Sequence, residues 1–218
     1  MDIAELVEDA WRLGAGPGRR VLGIAGPPGA GKSTLARALV AEADRRYGAG
    51  AAAYLPLDGF HLSNAQLERL GLTARKGSPP SFDVHGYAAL LHRVVHTPDQ
   101  EIYVPDYDRS LHEPVAARHR VRPGARLVVT EGNYLGCDEP GWREARELMD
   151  ALWYLDAPDR VRHRRLVERQ LAGGRDARRA QAWVAGNDRP NGELVERTRE
   201  RCDRILGVIG LDMTMGRG

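Results

Sequence analysis

Short apolar runs alternate with amphipathic segments along most of the chain. Four of these runs are rich in Val, Leu and Ala and carry charge only at their ends; they lie at residues 21–25, 51–57, 126–131 and 151–156. Such runs are typical of strands buried on both faces of a sheet. A further run at 101–105 fits an edge strand. Strands that alternate with helical segments predict a parallel α/β sheet flanked by helices.

The segments between the apolar runs show the three- to four-residue spacing of helices. Predicted helices cover the first eleven residues, 33–47, 62–70, the stretch between Asp83 and Pro98, 142–149, the Arg-rich stretch after Pro158, and about 192–206. Ser63 and Asp83 are suited to N-cap positions. Because no repeat or long linker interrupts this pattern, we expect one domain over residues 1–218.

Composition excludes several classes of protein. Thirty-two basic and thirty acidic residues give a net charge of +2, which argues against nonspecific nucleic-acid binding. Two cysteines are too few for a disulfide framework. A run of about 18 apolar residues, as a membrane span needs, does not occur. The acidic N-terminal segment is unlike a signal peptide. We therefore expect a cytoplasmic protein with neither a nucleic-acid nor a membrane partner.

One glycine-rich segment carries the most specific signal. It matches G-x-x-x-x-G-K-[ST] between an apolar run and a helical segment, and it consists of Gly26, Pro27, Pro28, Gly29, Ala30, Gly31, Lys32, Ser33 and Thr34. Its glycines let backbone N–H groups converge at a helix N-terminus, where an anion is favoured. Lys32 is expected to contact the β- and γ-phosphates and Ser33 to bind Mg²⁺. The segment predicts a nucleoside triphosphate site.

Three apolar runs end in a carboxylate, at the sheet edge where parallel α/β proteins bind ligands. Asp58 is the candidate general base, and the neighbouring Gly59 is expected to leave space for a ligand; the alternative for Asp58 is a simple turn. Glu131 is expected to hold Mg²⁺ or to orient an acceptor, with a structural role as its alternative. Asp156 is interpreted as the N-cap of the next helix.

The phosphate loop does not define the reaction, because ATPases, GTPases and small-molecule kinases share it. A guanine-reading Asn-Lys-x-Asp is excluded, since Lys32 and Lys76 are the two lysines of the sequence and neither lies in such a tetrapeptide. Two classes stay open: a kinase for a small hydroxyl compound, and a regulatory ATPase that acts through a protein partner.

Further motifs follow the phosphate loop in a fixed order. They are Asp58-Gly59-Phe60, Arg75-Lys76-Gly77 with Phe82-Asp83, Pro105-Asp106-Tyr107-Asp108-Arg109, and Glu131-Gly132-Asn133-Tyr134. Together they resemble the P-loop kinase family that contains uridine kinase, phosphoribulokinase and bacterial type I pantothenate kinase. The likeness extends from residue 21 to about 206 and is closest to the bacterial branch described as nucleoside kinase-like or fructose-transport-system kinase-like.

This resemblance implies a three-layer P-loop NTPase fold that phosphorylates a small hydroxyl compound with ATP and Mg²⁺. Asp58 matches the family's base position. The acceptor is then a nucleoside, a sugar such as fructose or a pantothenate-like compound, and a homodimer is compatible with what occurs among relatives. The expected acceptor-side residues are Asp58, His61, Arg75, Lys76, Tyr107, Arg109, Tyr134 and Asn187. The alternative for Arg75 and Lys76 is a solvated loop pair, and the alternative for each of His61, Tyr107, Arg109 and Tyr134 is a packing or surface role.

Arginines are concentrated after the fourth apolar run. Eight lie between Pro158 and Arg179, around a Gly-Gly pair at 173–174, and this predicts a lid over about 158–190. Arg165 and Arg169 are four residues apart, so they share one helix face and are the candidate catalytic arginines. The alternative is a solvated basic helix or a patch for an acidic partner.

Overall fold

A computed structural model describes residues 2–13 and 18–207. The helices are α1 Ile3–Leu13, α2 Lys32–Tyr47, α3 Asn64–Arg69, α4 Val84–His96, α5 Trp142–Glu147, α6 Asp159–Ala172, α7 Ala177–Trp183 and α8 Arg189–Glu196. The strands are β1 Arg20–Ala25, β2 Ala52–Pro56, β3 Ile102–Asp108, β4 Glu113–Val121, β5 Leu127–Glu131, β6 Ala151–Leu155 and β7 Arg204–Leu206. The end of the chain beyond residue 207, which the predicted domain includes, lies outside the described residues.

Five strands form a parallel sheet in the order β2-β5-β1-β6-β7. Helices separate adjacent strands of this sheet in the sequence. Each parallel connection has to run from the carboxyl end of one strand back to the amino end of the next, and a helix covers that distance. The carboxyl ends of β2, β5 and β1 therefore lie side by side. This arrangement confirms the predicted parallel α/β architecture and brings the phosphate loop next to Asp58 and Glu131.

Both faces of the sheet are covered. Side chains alternate along each strand, so that Val21 and Val128 face one apolar cluster while Leu22 and Val129 face another. Helices α4, α5 and α8 contribute to the first cluster, and α1 and α2 to the second. The structure has the three layers that the sequence predicts. Among the described helices, none is long and apolar enough to cross a membrane.

Two predicted caps are confirmed and one is wrong. The Ser63 hydroxyl accepts from the amide of Gln66, and the Asp83 carboxylate accepts from the amide of Gly86. Asp156 does not cap α6, because Pro158 occupies the N-cap position. The Asp156 carboxylate instead lies 3.2 Å from Arg199 Nη2.

The C-terminal part of the sequence prediction is also wrong. Helix α8 ends at Glu196 rather than near residue 206, a 3₁₀ turn follows, and β7 then joins the edge of the sheet beside β6. Leu206 is fully buried there. A strand of three residues is too short to show an alternation of apolar and polar side chains. Its residues therefore look like the continuation of the preceding helix.

The predicted edge strand at 101–105 belongs to an antiparallel hairpin, β3–β4, outside the main sheet. The sequence did not predict β4, because most of its side chains are exposed or half-exposed and give no alternating apolar signal. The hairpin packs onto the turn after β2. A Cβ atom at Gly59 would collide with the carbonyl group of Pro105. Gly59 therefore makes room for the hairpin and not, as predicted, for a ligand.

Candidate active site

The phosphate loop joins β1 to α2 through backbone conformations that favour glycine. Gly26, Gly29 and Gly31 have φ values of 150°, 78° and 105°. A Cβ atom at Gly26 would lie 2.5 Å from the carbonyl oxygen of Leu155. Gly31 is the N-cap of α2, so no side chain covers the first N–H groups of this helix. The loop therefore has the shape and polarity of an anion cradle.

Lys32 lies inside this cradle with 7% of its surface exposed. Its Nζ donates to the carbonyl oxygen of Pro27 at 3.1 Å and to Oδ1 of Asn133 at 2.6 Å. Burial lowers the pKa of Lys32 to about 8, because the charged amine has lost water and gained only partial compensation from carboxylates. A bound polyphosphate would supply that compensation. Asn133 stands in a motif that the sequence singles out, yet its side chain was not predicted as a site residue.

Glu131 is the last residue of β5 and is 3% exposed. The Tyr54 hydroxyl donates to its carboxylate at 2.8 Å, and the nearby Ser33 side chain favours the charged form of that carboxylate. Burial, followed by the negative charge of Asp58, raises the pKa of Glu131. Ser33 and Glu131 together offer the oxygen donors that Mg²⁺ prefers. In the described part of the chain no three His, Cys, Asp or Glu side chains form a metal-binding group, so Mg²⁺ would need nucleotide or water oxygens as well.

Asp58 lies in the 3₁₀ turn Leu57–Phe60 directly after β2. Its side chain is 37% exposed, and its Oδ2 is 3.9 Å from Nη2 of Arg109. The negative charge of Asp58 partly offsets the lowering of the Lys32 pKa and adds to the raising of the Glu131 pKa. The carboxylate therefore lies at the border of the phosphate loop, open to a second molecule.

Several predicted acceptor-side residues surround Asp58. The rings of His61 and Tyr107 are 4.9 Å apart, and Lys76 Nζ lies 5.2 Å from the centre of the Tyr107 ring. Arg109 follows Tyr107 on the hairpin and is 60% exposed. We call Asp58, His61, Lys76, Tyr107 and Arg109 the hairpin half of the site. The phosphate-loop half consists of the loop with Lys32, Ser33 and Glu131.

Arg75, Tyr134 and Asn187 do not join this surface. Arg75 is exposed, and its side chain makes no hydrogen bond or ion pair to any residue that the structure describes. Tyr134 is fully buried, and its hydroxyl donates to the carbonyl oxygen of Gly77 at 2.6 Å. Asn187 donates to the carbonyl oxygen of Lys76 at 2.8 Å. Tyr134 and Asn187 thus hold the backbone that carries Lys76.

Three arginines of α6 have different environments. Arg162 is nearly buried and binds the carbonyl oxygen of Ala157 and the carboxylate of Glu196, so it anchors the helix. Arg165 Nη1 donates to the carbonyl oxygens of two phosphate-loop residues, Gly29 and Ala30, at 3.2 and 3.1 Å. The Arg165 side chain therefore lies against the phosphate-loop half.

Arg169 lies one helical turn further along α6. Its Nη2 is 3.8 Å from the buried carboxylate of Asp188, and it interacts electrostatically with Arg109 and Asp58. Asp188 ends a π-helical turn, Val184–Asp188, of a kind often found at functional sites. Neither Asp188 nor this turn was predicted, because a π-helical turn has no simple sequence signature. Arg165 and Arg169 therefore lie along the boundary between the two halves.

Comparison with known proteins agrees with this arrangement. Residues 21–208 match the model of the phosphoribulokinase/uridine kinase family. A Schizosaccharomyces pombe protein provisionally named a uridine kinase is 32% identical over 199 residues, which cover 88% of this chain and 85% of the relative. The Escherichia coli K12 protein YggC is 37% identical over 189 residues, covering 86% and 77% of the two chains.

A solved structure supports the same relationship. The crystal structure of a protein from Silicibacter sp. TM1040, provisionally described as a fructose transport system kinase, superposes with a TM-score of 0.85 at 35% identity. The match covers 94% of this chain and 99% of the other. Because the family model spans the phosphate loop, the hairpin and helices α6 to α8, the likeness includes every part of the candidate site. The chain belongs to the phosphoribulokinase/uridine kinase family of P-loop kinases.

Proposed function

We propose that the protein transfers the γ-phosphoryl group of ATP, bound with Mg²⁺, to a hydroxyl group of a small molecule. The observation that carries this proposal is the position of Asp58, a half-exposed carboxylate at the border of a complete phosphate cradle. In a nucleotide hydrolase, a water molecule would occupy the place of the acceptor next to this carboxylate. A kinase needs a base within reach of an acceptor hydroxyl.

The residues of the phosphate-loop half bind the nucleotide in this proposal. The N–H groups of the loop and the ammonium group of Lys32 hold the phosphates, and Ser33 and Glu131 hold Mg²⁺. When bound, Mg²⁺ neutralises phosphate charge. Arg165 and Arg169 extend from α6 to stabilise the charge on the transferring group, as guanidinium groups do in phosphoryl transfer.

The residues of the hairpin half receive the acceptor. Asp58 accepts the proton of the reacting hydroxyl, while His61, Lys76, Tyr107 and Arg109 supply hydrogen-bonding and aromatic surface. That surface suits a nucleoside, a ketose sugar such as fructose or a pantothenate-like compound. Tyr134 and Asn187 act on the acceptor indirectly, through the backbone of Lys76. Closure of the segment at 158–190 would exclude water, which competes for the phosphoryl group.

The test is an ADP-release assay with three acceptor classes, a nucleoside panel, a sugar panel with fructose, and pantothenate, each with and without Mg²⁺. Mass spectrometry then looks for a phosphorylated acceptor and for free phosphate. We expect one class to accelerate ADP release many-fold and to yield its phosphate ester. Release of free phosphate that no acceptor changes would overturn the proposal and favour a regulatory ATPase.

A further inference from the structure

The buried phenol of Tyr54 contacts the carboxylate of Glu131. In the parallel register, Tyr54 of β2 lies beside Val129 and Pro56 lies beside Glu131. Tyr54 and Glu131 are therefore diagonal neighbours on one face of the sheet, within reach of a long side chain. The Tyr54 hydroxyl donates to Oε1 of Glu131 at 2.8 Å, and the ring is 8% exposed. This hydrogen bond restricts the rotation of the carboxylate.

Two further groups hold the Tyr54 ring. The guanidinium carbon of Arg37, on α2, lies 4.9 Å from the ring centre, and its positive charge faces the ring. His119, on β4, meets the ring edge-on with centroids 5.1 Å apart. Tyr54 is thus held from the helix on one side and from the hairpin on the other.

One carboxylate, that of Asp106, joins these two supports. Its Oδ2 is 3.3 Å from Arg37 Nη2 and 2.8 Å from His119 Nε2. Asp106 immediately precedes Tyr107 on β3, so the strand that carries the acceptor-side ring also fixes the environment of Tyr54. The chain of contacts runs without a gap from the hairpin to Glu131. Of the residues in this chain of contacts, the proposed phosphoryl transfer uses Glu131 but gives no role to Tyr54, Arg37, His119 or Asp106.

We propose that Tyr54 is a positioning residue for Glu131 in cation-dependent nucleotide binding, and that Asp106 fixes Tyr54 through Arg37 and His119. The inference rests on the proposed role of Glu131 toward Mg²⁺. A carboxylate that is free to rotate presents its oxygens to a cation only part of the time, whereas a hydrogen-bonded one is preorganised. Partners of this kind typically change metal affinity by about 10- to 100-fold.

The test compares the affinity for β,γ-imido ATP, a non-hydrolysable analogue, with and without Mg²⁺ by calorimetry. We expect Tyr54→Phe to reduce the Mg²⁺-dependent gain in affinity about 10-fold or more and to leave the Mg²⁺-free affinity unchanged. The electron paramagnetic resonance spectrum of bound Mn²⁺, with the same analogue, is expected to change as well. Arg37→Met, at an exposed position, should give a smaller loss in the same direction.

The matched control is Tyr87→Phe. Tyr87 is also a buried tyrosine, and its hydroxyl lies 2.7 Å from Oγ1 of Thr130, the residue before Glu131. Its loss should leave the Mg²⁺-dependent gain at the wild-type value. Equal losses of affinity with and without Mg²⁺ in Tyr54→Phe, or an unchanged gain, would overturn the inference. Absence of any gain in the wild type would instead overturn the role of Glu131 itself, and with it this inference.

Discussion

The two halves of the site are built on different principles. In the phosphate-loop half the charged side chains are buried, as Lys32 and Glu131 are, and the backbone itself forms the cradle. In the hairpin half the side chains of Asp58 and Arg109 are substantially exposed, and they stand on a turn and a hairpin outside the main sheet. In the proposed mechanism, the groups that bind the nucleotide thus lie in the core, and the groups assigned to the acceptor lie on a turn and a hairpin outside the main sheet.

The largest effects are expected when one charged group is removed from each half. Asp58→Asn should lower phosphoryl transfer about 10²- to 10⁴-fold, the usual contribution of a general base, and leave ATP affinity unchanged. Lys32→Ala should weaken both ATP binding and transfer, because its ammonium group binds the phosphates. Calorimetry and the coupled ADP assay measure the two quantities.

Glu193→Gln removes an exposed carboxylate on α8 and serves as the control, with wild-type values expected for both quantities. Normal turnover in Asp58→Asn would exclude Asp58 as the base. Equal loss of ATP affinity in Asp58→Asn and Lys32→Ala would instead show that the two halves do not act separately.

A second test asks whether α6 serves the boundary between the halves. Arg165→Ala should reduce turnover by about 10²-fold, as removal of one preorganised donor to a transition state does. It should also lower the free energy of unfolding by about 1–3 kcal/mol, because two phosphate-loop carbonyl groups lose their side-chain donor. The neighbouring Arg164 is 70% exposed and pairs only loosely with Glu168, so Arg164→Ala is the matched control. Steady-state kinetics and urea unfolding would be compared. Equal effects of the two substitutions on turnover would show that Arg165 contributes no more to transfer than a solvated arginine does.

The third test uses the backbone that carries Lys76. Asn187→Ala leaves the carbonyl group of Lys76 without its side-chain donor, at a cost of about 1–3 kcal/mol. A protease that cuts only after lysine should therefore cleave after Lys76 roughly 10-fold faster in this variant. Lys32, the other lysine, is buried. ATP affinity should not change, because the hydrogen bond belongs to the hairpin half.

Gel electrophoresis of timed digests measures the cleavage rate. Gln181→Ala, at an exposed position on α7, should be cleaved at the wild-type rate. If Asn187→Ala is cleaved no faster than this control, the side chain does not restrain the loop.

The smallest expected effect concerns His61, which packs between the rings of Phe82 and Tyr107. Burial lowers its pKa, so the folded protein favours the neutral ring. The histidine of an unfolded chain has a pKa of about 6.5. The contribution of His61 to stability is therefore complete above that pH and is lost as the pH falls through the lowered folded-state value.

Urea unfolding at pH 7, 6 and 5 tests this prediction. The free energy of unfolding should decrease more steeply with falling pH in the wild type than in His61→Asn. His163→Asn, at an exposed position on α6, should keep the wild-type slope. Parallel slopes for all three proteins would contradict a lowered pKa of the partly buried His61.

The difference between the halves also explains how far the sequence could predict the molecule. The phosphate loop, the four buried strands and the carboxylates after them were predictable, because each depends on residues that are close together in the chain. Strand β4 and the edge strand β7 were not, since one is exposed and the other is three residues long. Gly59 was misinterpreted because its constraint comes from Pro105, which lies far away in sequence.

The same reasoning applies to single side chains. Lys32, Ser33 and Asp58 follow from motifs, whereas Tyr54 looks like one more apolar residue of a buried strand until its hydroxyl is seen at Glu131. Tyr134 and Asn187 were predicted to face the ligand, but they bind main-chain carbonyl groups of another loop. Hydrogen bonds between distant segments leave no local pattern, so contacts of this kind require the structure.

The scarcity of lysine has a practical consequence for finding the acceptor. Lys32 and Lys76 are the two lysines of the sequence, and each lies in a different half of the site. A reagent that acylates lysine amines, followed by peptide mapping with mass spectrometry, therefore measures the accessibility of both halves in one experiment. A nucleotide should slow the already limited acylation of Lys32, which is 7% exposed, and a molecule bound at the hairpin should shield Lys76. Occupancy by an unknown metabolite could be detected from a mixture in this way, before any product has been identified.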